Sequence, residues 1–151
     1  MTTEATLNAN AAATPTSKSF ARHLPTVARV LMGILLFGPG LMGLLNLAPQ
    51  PATPPPEGAV AFGMAMMKTG YLFQFVKGTE VLVGALLLSN RFVPLALAIA
   101  APVVLNIVAF HAFLAPEGLA LPIVLLALHV FLAWSYRSLY RPMLASRAKP
   151  G

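Results

Sequence analysis

Four long apolar runs, separated by short polar or proline-rich stretches, dominate the pattern of this chain. They cover residues 27–47, 69–89, 92–114 and 119–136. A helix that crosses the hydrocarbon core of a bilayer needs about 20 predominantly apolar residues, with a range of about 17 to 25. Each run falls within this range, so the pattern predicts four transmembrane helices.

The three connections between these runs differ in kind. Residues 48–68 begin with prolines that exclude a helix and continue with an apolar segment, 58–68, that is too short to span a bilayer. We expect this segment to form a short interfacial or re-entrant helix. The other two connections, around Asn90 and Pro116, are tight, which favours antiparallel neighbours. The sequence therefore predicts an all-α membrane protein, a four-transmembrane-helix up-down bundle formed by residues 25–140.

The charges lie mainly at the two ends of the chain. Hydrophobic residues make up 58% and charged residues 9% of the sequence, and the net charge is +6, whereas about a quarter of an average soluble protein is charged. Lysine and arginine concentrate on the cytoplasmic side of membrane proteins, which places both termini and Arg91 in the cytoplasm. Basic ends around apolar runs are not typical of a nucleic-acid-binding surface, so no nucleic acid is expected as a partner. The basic residues at the ends are Lys18, Arg22, Arg29, Arg137, Arg141, Arg147 and Lys149.

Two terminal segments lie outside the predicted bundle. Residues 1–24 are rich in alanine, threonine and asparagine, which predicts a disordered cytoplasmic tail. Residues 141–151 are predicted to be a basic cytoplasmic tail. The chain has no cysteine, which excludes disulfides, iron–sulfur ligation and thioether-bound haem within it.

Two opposite charges inside the second apolar run are the most informative polar residues. Lys77 and Glu80 are three residues apart, so they share one face of a helix and can form an ion pair. A charge at the centre of a membrane helix costs about 2.5 to 3.5 kcal/mol on insertion scales. Charged residues in membrane spans are therefore rare and usually functional.

Several polar residues are predicted to lie in the outer half of the bundle, at depths of about 4 to 16 Å from the outer ends of their helices. With a rise of about 1.5 Å per residue, they can line one polar cavity that residues 58–68 cover. Two alternatives to this ligand-binding cavity stay open. The polar residues can simply hold the membrane helices together, and Asn46 also suits the C-terminus of a helix. The candidate ligand-binding residues are Lys77, Glu80, Asn106, His111, Asn46 and Gln74.

No metal or haem site is predicted. Zinc needs three or four converging ligands, and the sequence offers no such cluster. His111 and His129 fall at different depths along their helices, which disfavours bis-histidine haem ligation.

The apolar region contains a series of short motifs in a fixed order. They are Thr69-Gly70-Tyr71-Leu72-Phe73, Lys77-Gly78-Thr79-Glu80-Val81, Gly84, Arg91-Phe92-Val93-Pro94-Leu95-Ala96-Leu97, Ala101-Pro102-Val103, Asn106 and Phe110-His111-Ala112-Phe113-Leu114. With these motifs the chain resembles the DoxX family, and the resemblance runs from about Val27 to Tyr140. It implies a four-helix protein of the bacterial plasma membrane, related to the small subunit of a thiosulfate:quinone oxidoreductase.

The leading functional hypothesis is a membrane subunit or accessory of a quinone-linked redox system. Lys77, Asn106 and His111 would donate hydrogen bonds to a quinone carbonyl, and Glu80 would move a proton. A redox partner subunit, a second copy of the chain and the lipid bilayer are the candidate partners. The alternatives are a non-enzymatic transporter, a protein that binds lipids or small molecules in the same cavity, and an assembly scaffold; the residues assign no catalytic role.

Overall fold

The computed structural model describes residues 16–48, 53–140 and 142–143, and all regular structure in these ranges is helical. This confirms the all-α prediction. A short 3₁₀ turn, Pro116–Gly118, separates the fourth and fifth helices. The helices are α1 (Thr16–Leu44), α2 (Glu57–Lys68), α3 (Leu72–Leu88), α4 (Val93–Leu114), α5 (Ala120–Ser135) and α6 (Arg137–Tyr140).

The helices indicate a membrane protein, with fewer clear spans than the sequence predicts. Within the described ranges, two helical segments are long and apolar enough to cross a bilayer alone: Arg22–Leu44 of α1, and α4. Helices α2 and α3 together make a third candidate, but they are bent by 96° at the break between them. Helix α3 has 17 residues and α5 has 16. Both are shorter than the usual span of about 20, which is why four spans do not follow from helix length.

The first helix starts earlier than the sequence pattern suggests. Helix α1 begins at Thr16, so residues 16–24 are helical, whereas the sequence pattern predicts a disordered tail as far as residue 24. Polar and charged residues such as those between Thr16 and Leu24 are compatible with a helix once a long apolar helix follows, because extending an existing helix avoids the cost of nucleation. Apart from Pro142 and Met143, the rest of the predicted tails, with Arg141, Arg147 and Lys149, lies outside the described residues.

Glycines bring α1 and α3 into close antiparallel contact. A Cβ atom added at Gly84 of α3 would lie 2.6 Å from the backbone nitrogen of Phe37, and one at Gly33 of α1 would lie 2.9 Å from Cγ of Leu88. Small residues at a membrane helix interface let two backbones approach this closely. The pair of helices is therefore the most tightly packed unit of the fold.

Helices α4 and α5 complete the bundle. The buried face of α4 repeats every three or four residues, as expected of one helical stripe against a core; it consists of Val93, Ala96, Leu97, Ala100 and Val104. These residues pack with Met32 and Leu36 of α1, Val83 and Leu87 of α3, and Leu125 and Leu132 of α5. Many large apolar side chains face outward, such as Leu105, Phe113 and Val130, which suits a surface covered by lipid.

We call the end of the bundle that contains Arg29, the C-terminus of α3 and α6 the terminal end. Arg29 is only 7% exposed, and its guanidinium donates hydrogen bonds to the carbonyl oxygens of Leu87 and Leu88. The hydroxyl of Tyr140 donates to the carbonyl oxygen of Pro94 at 3.1 Å. These bonds tie α1 to α3 and α6 to the start of α4.

Candidate ligand-binding cavity

A cavity of about 360 Å³ lies at the opposite end of the bundle, which we call the cavity end. Side chains from α1 to α5 line it, and most of them are apolar. The second half of α4 and the first halves of α3 and α5 contribute, as expected where antiparallel helices meet at one end. Four of the predicted residues also line it, namely Lys77, Glu80, Asn106 and His111.

Helix α2 covers this cavity with one face. Its lining residues, Ala59, Phe62, Gly63 and Met66, have the spacing of a single helical stripe. The ring of Phe62 lies 5.6 Å from the ring of Phe110 on α4. No residue of α2 is buried, so this helix is a cover that shields the cavity and adds little to the core.

Lys77 and Glu80 form the predicted ion pair on the wall of the cavity. The Lys77 Nζ atom lies 3.0 Å from Oε1 and 2.9 Å from Oε2 of Glu80. Glu80 is 4% exposed and Lys77 is 24% exposed. The carboxylate therefore lies deeper than the ammonium. These two bonds use two of the three ammonium protons, which leaves one for another acceptor.

Two glycines of α1 make room for the pair. A Cβ atom at Gly40 would lie 2.9 Å from Cβ of Glu80, and one at Gly43 would lie 2.8 Å from Cδ of Lys77. The spacing of three residues in α1 matches the spacing of three residues in α3, because the helices run antiparallel. The Gly-x-x-Gly pattern indicates close helix approach in the sequence, but its partner across the interface was not predictable.

His111 has a defined hydrogen-bonding state. Its Nδ1 atom lies 2.8 Å from the carbonyl oxygen of Ile107. A carbonyl oxygen only accepts, so Nδ1 carries the proton, and in the neutral ring Nε2 is an acceptor. His111 could donate to a quinone carbonyl, as the sequence analysis expects, only as a charged imidazolium. The structure thus favours an acceptor role for this residue.

Asn106 also lines the cavity, although the residue as a whole is exposed. Asn106 is therefore in contact both with the cavity and with the outer surface of the bundle. An amide offers a donor and an acceptor, so Asn106 can bind a ligand oxygen.

Asn46 and Gln74 are not among the residues that line the cavity. Asn46 follows the end of α1 with a left-handed φ of 53°, and the N–H of Leu47 donates to the carbonyl of Met42 at 2.8 Å. Glycine usually occupies this left-handed position after a helix, and asparagine can adopt it too. Asn46 therefore fits the alternative of a helix C-terminal residue. Gln74 is exposed, and lies roughly 100° round α3 from the cavity-lining Phe73.

The sequence analysis did not predict the aromatic residues that line the cavity. Phe62, Phe73 and Phe110 all contribute to the cavity wall. In uniformly apolar helices no polar face marks the outside, so the periodicity of the sequence does not distinguish cavity-facing from lipid-facing phenylalanines.

Fold and site together define a helical membrane protein with a mainly apolar cavity that carries one ion pair. Comparison with models of known families, with curated proteins and with solved structures finds no match to this chain. The resemblance to the DoxX family therefore stays a prediction from the motifs in the sequence. Among the described side chains, no three histidine or acidic residues come together as metal ligands.

Proposed function

We propose that this protein is a DoxX-like, four-helix protein of the bacterial plasma membrane that binds a quinone in the cavity. It would act as a membrane subunit or accessory of a redox system. The observation that carries this proposal is the Lys77–Glu80 ion pair on the wall of an otherwise apolar cavity. Buried charges in a membrane protein are costly and usually serve a ligand or ion pathway.

The cavity suits the chemistry of a quinone head group. A quinone is a flat, mainly apolar ring with carbonyl acceptors, and small-molecule pockets are typically apolar with a few polar groups, at about 300 to 1,000 Å³. Lys77 and Asn106 line the cavity, and their side chains carry an ammonium and an amide, which can donate hydrogen bonds. Phe62, Phe73 and Phe110 offer apolar contacts for the ring.

Glu80 has a supporting part in this proposal. Its carboxylate holds the Lys77 ammonium through both oxygens, and it can take up or release a proton when the quinone is reduced or oxidised. The electrons would come from, or go to, a redox partner subunit. No catalytic role is assigned to a residue of this chain.

The distribution of charge supports a four-span topology with cytoplasmic termini. Arg22, Arg91 and Arg137 are exposed at or near the terminal end, whereas, in the described ranges, the cavity end carries Glu57, Glu117 and a single exposed lysine, Lys68. An excess of lysine and arginine marks the cytoplasmic side. In this topology α3 and α5 are short spans, and α2 lies at the outer membrane interface over the cavity.

Direct binding tests the proposal. The full chain is purified in detergent and analysed for copurified quinone, and binding of decylubiquinone is measured. We expect the double variant Lys77→Met/Glu80→Leu to bind at least tenfold more weakly. The matched control is Gly78→Ala on the same helix, where an added Cβ meets nothing within 4 Å. Absence of binding, or equal binding by the double variant, would reject the proposal.

A carrier of lipids or other small molecules is the second candidate, and one observation favours it. Helix α2 covers the cavity while burying none of its residues, and it meets α3 at a 96° bend. Such a cover can open without disrupting the core.

A flux assay in liposomes separates the two candidates, because a redox subunit should move no solute. If the protein is only a scaffold, the double variant should keep its function and most of its stability.

A further inference from the structure

We propose that His111 makes the cavity selective for a ring that carries a hydroxyl group, such as a phenol or the reduced form of a quinone. The Nε2 atom of His111 accepts the hydrogen bond of that hydroxyl. This inference rests on the proposed function, since it takes the cavity to be a ligand site, and it adds which chemical form of the ligand is held most tightly.

A backbone contact fixes the tautomer of His111. Its Nδ1 atom lies 2.8 Å from the carbonyl oxygen of Ile107 one turn earlier in α4. That oxygen has no proton to give, so the imidazole is the donor there. A neutral imidazole has one N–H, and the remaining nitrogen, Nε2, has a free lone pair. Hence His111 offers the ligand an acceptor.

Access to Nε2 depends on Gly118. The Cδ2 and Nε2 atoms form the edge of the ring that faces Gly118, where an added Cβ would lie 2.9 Å from Cδ2 and 3.4 Å from Nε2. Gly118 and His111 both line the cavity. Gly118 has no side chain to cover this edge, whereas an added Cβ atom would crowd it.

The orientation of the ring also depends on Phe110. The imidazole meets the ring of Phe110 edge to face, with centroids 5.1 Å apart and planes at 81°. Together with the bond to Ile107, this contact holds the imidazole in one orientation. An acceptor held in place beforehand loses less entropy when the ligand binds.

A quinone and a hydroxylated ring differ in the hydrogen bonds that they can form with the cavity. A quinone has only acceptors, which Lys77 and Asn106 can serve, and it leaves Nε2 of His111 without a donor. A polar group that loses water and gains no hydrogen bond weakens binding. A hydroxylated ring provides the missing donor, and its oxygen still accepts from the other groups.

The experiment compares two probes that differ only in that a methyl group replaces the hydroxyl proton. Binding of 4-octylphenol and of 4-octylanisole, its methyl ether, is measured on the full chain in detergent, beside decylubiquinone. We expect the phenol to bind about tenfold more tightly than the ether. In His111→Phe this ratio should fall to about one, and decylubiquinone should bind at least as tightly as to the wild type, because the variant removes an acceptor that a quinone leaves unpaired. His129→Phe is the control, because His129 does not line the cavity.

The outcomes separate the two proposals. Equal binding of phenol and ether by the wild type, or a preference that persists in His111→Phe, would overturn the inference while leaving quinone binding intact. If the wild type prefers the phenol to the ether but does not bind decylubiquinone, the proposed function would be rejected and the inference about His111 would stand. If His111→Phe does not fold, Gly118→Ala serves as the second variant: crowding of the Nε2 edge should lower the ratio, and an unchanged ratio would contradict the inference.

Discussion

The two ends of the bundle each bury a positive charge, and they do so in different ways. At the terminal end, Arg29 donates to the backbone carbonyl oxygens of Leu87 and Leu88. At the cavity end, Lys77 is held by the carboxylate of Glu80. Arg29 is 7% exposed and packed, whereas Lys77 is 24% exposed and faces a cavity.

Under the proposed function, the difference separates a charge that serves the fold from a charge that is available to a ligand. The last carbonyls of any helix lack partners within the helix and carry a partial negative charge. Arg29 satisfies them and joins α1 to α3 at the same time. Lys77 instead is paired with the buried carboxylate of Glu80, and no described hydrogen bond uses its third ammonium proton. We infer a structural role for Arg29 and a ligand-binding role for Lys77.

Breaking the ion pair on one side should have the largest effect. Glu80→Leu leaves the Lys77 ammonium in an apolar wall without compensation, so we expect a loss of about 3 to 4 kcal/mol in the free energy of unfolding. Replacing both residues, as in Lys77→Met/Glu80→Leu, should restore most of this. Unfolding in mixed detergent micelles, followed by circular dichroism, measures both. A Glu80→Leu variant as stable as the wild type would mean that Lys77 needs no counter-charge.

Disturbing the packing of α1 against α3 should give the second largest loss of stability. Gly84→Ala places a Cβ atom 2.6 Å from the backbone nitrogen of Phe37, and overpacking of this kind costs about 2 to 3 kcal/mol. Gly78→Ala, in the same helix but facing open space, should be neutral or slightly stabilising. The same unfolding assay compares them, and equal stability of the two variants would argue against close packing of α1 and α3.

Removing the charge at the terminal end should cost less, and it should not affect binding. Arg29→Met removes charge-assisted hydrogen bonds, for which we expect a loss of about 2 kcal/mol in stability. Binding of decylubiquinone should stay unchanged. Arg91→Met, at an exposed position, is the control and should change stability by less than about 0.5 kcal/mol. A loss of binding in the folded Arg29→Met protein would contradict the separation of roles.

The smallest effect is expected at the α6 contact. Tyr140→Phe removes one hydrogen bond to the carbonyl of Pro94, worth about 1 kcal/mol. Burial raises the pKa of Tyr140 above its usual value of about 10. A raised pKa means that the contribution is complete below about pH 10 and falls as the pH rises through the folded-state value.

The stability difference between wild type and Tyr140→Phe should therefore narrow above about pH 10. Unfolding at a series of pH values measures it. The exposed Tyr71→Phe variant is the control and should match the wild type throughout. A difference that stays constant into strong alkali would show that the hydroxyl of Tyr140 does not stabilise the fold.

Local patterns were the predictable part of this molecule. The predicted third span, residues 92–114, differs from α4 by one residue at its start, because a long apolar run bounded by polar turns leaves little choice. The Lys77–Glu80 pair was also predictable, since residues three apart on a helix are neighbours. The early start of α1 at Thr16 was missed because the segment before the apolar run has no apolar periodicity.

The sequence by itself determined that the chain is helical and apolar, and that two opposite charges share one face of the third helix. Only the tertiary structure decided that Gly40 and Gly43 accommodate this pair, that Arg29 reaches the end of α3, and that His111 offers an acceptor beside Gly118. The physical reason is that contacts within one helix follow from its period. Contacts between helices depend on which apolar face turns inward, and lipid does not distinguish those faces as water does.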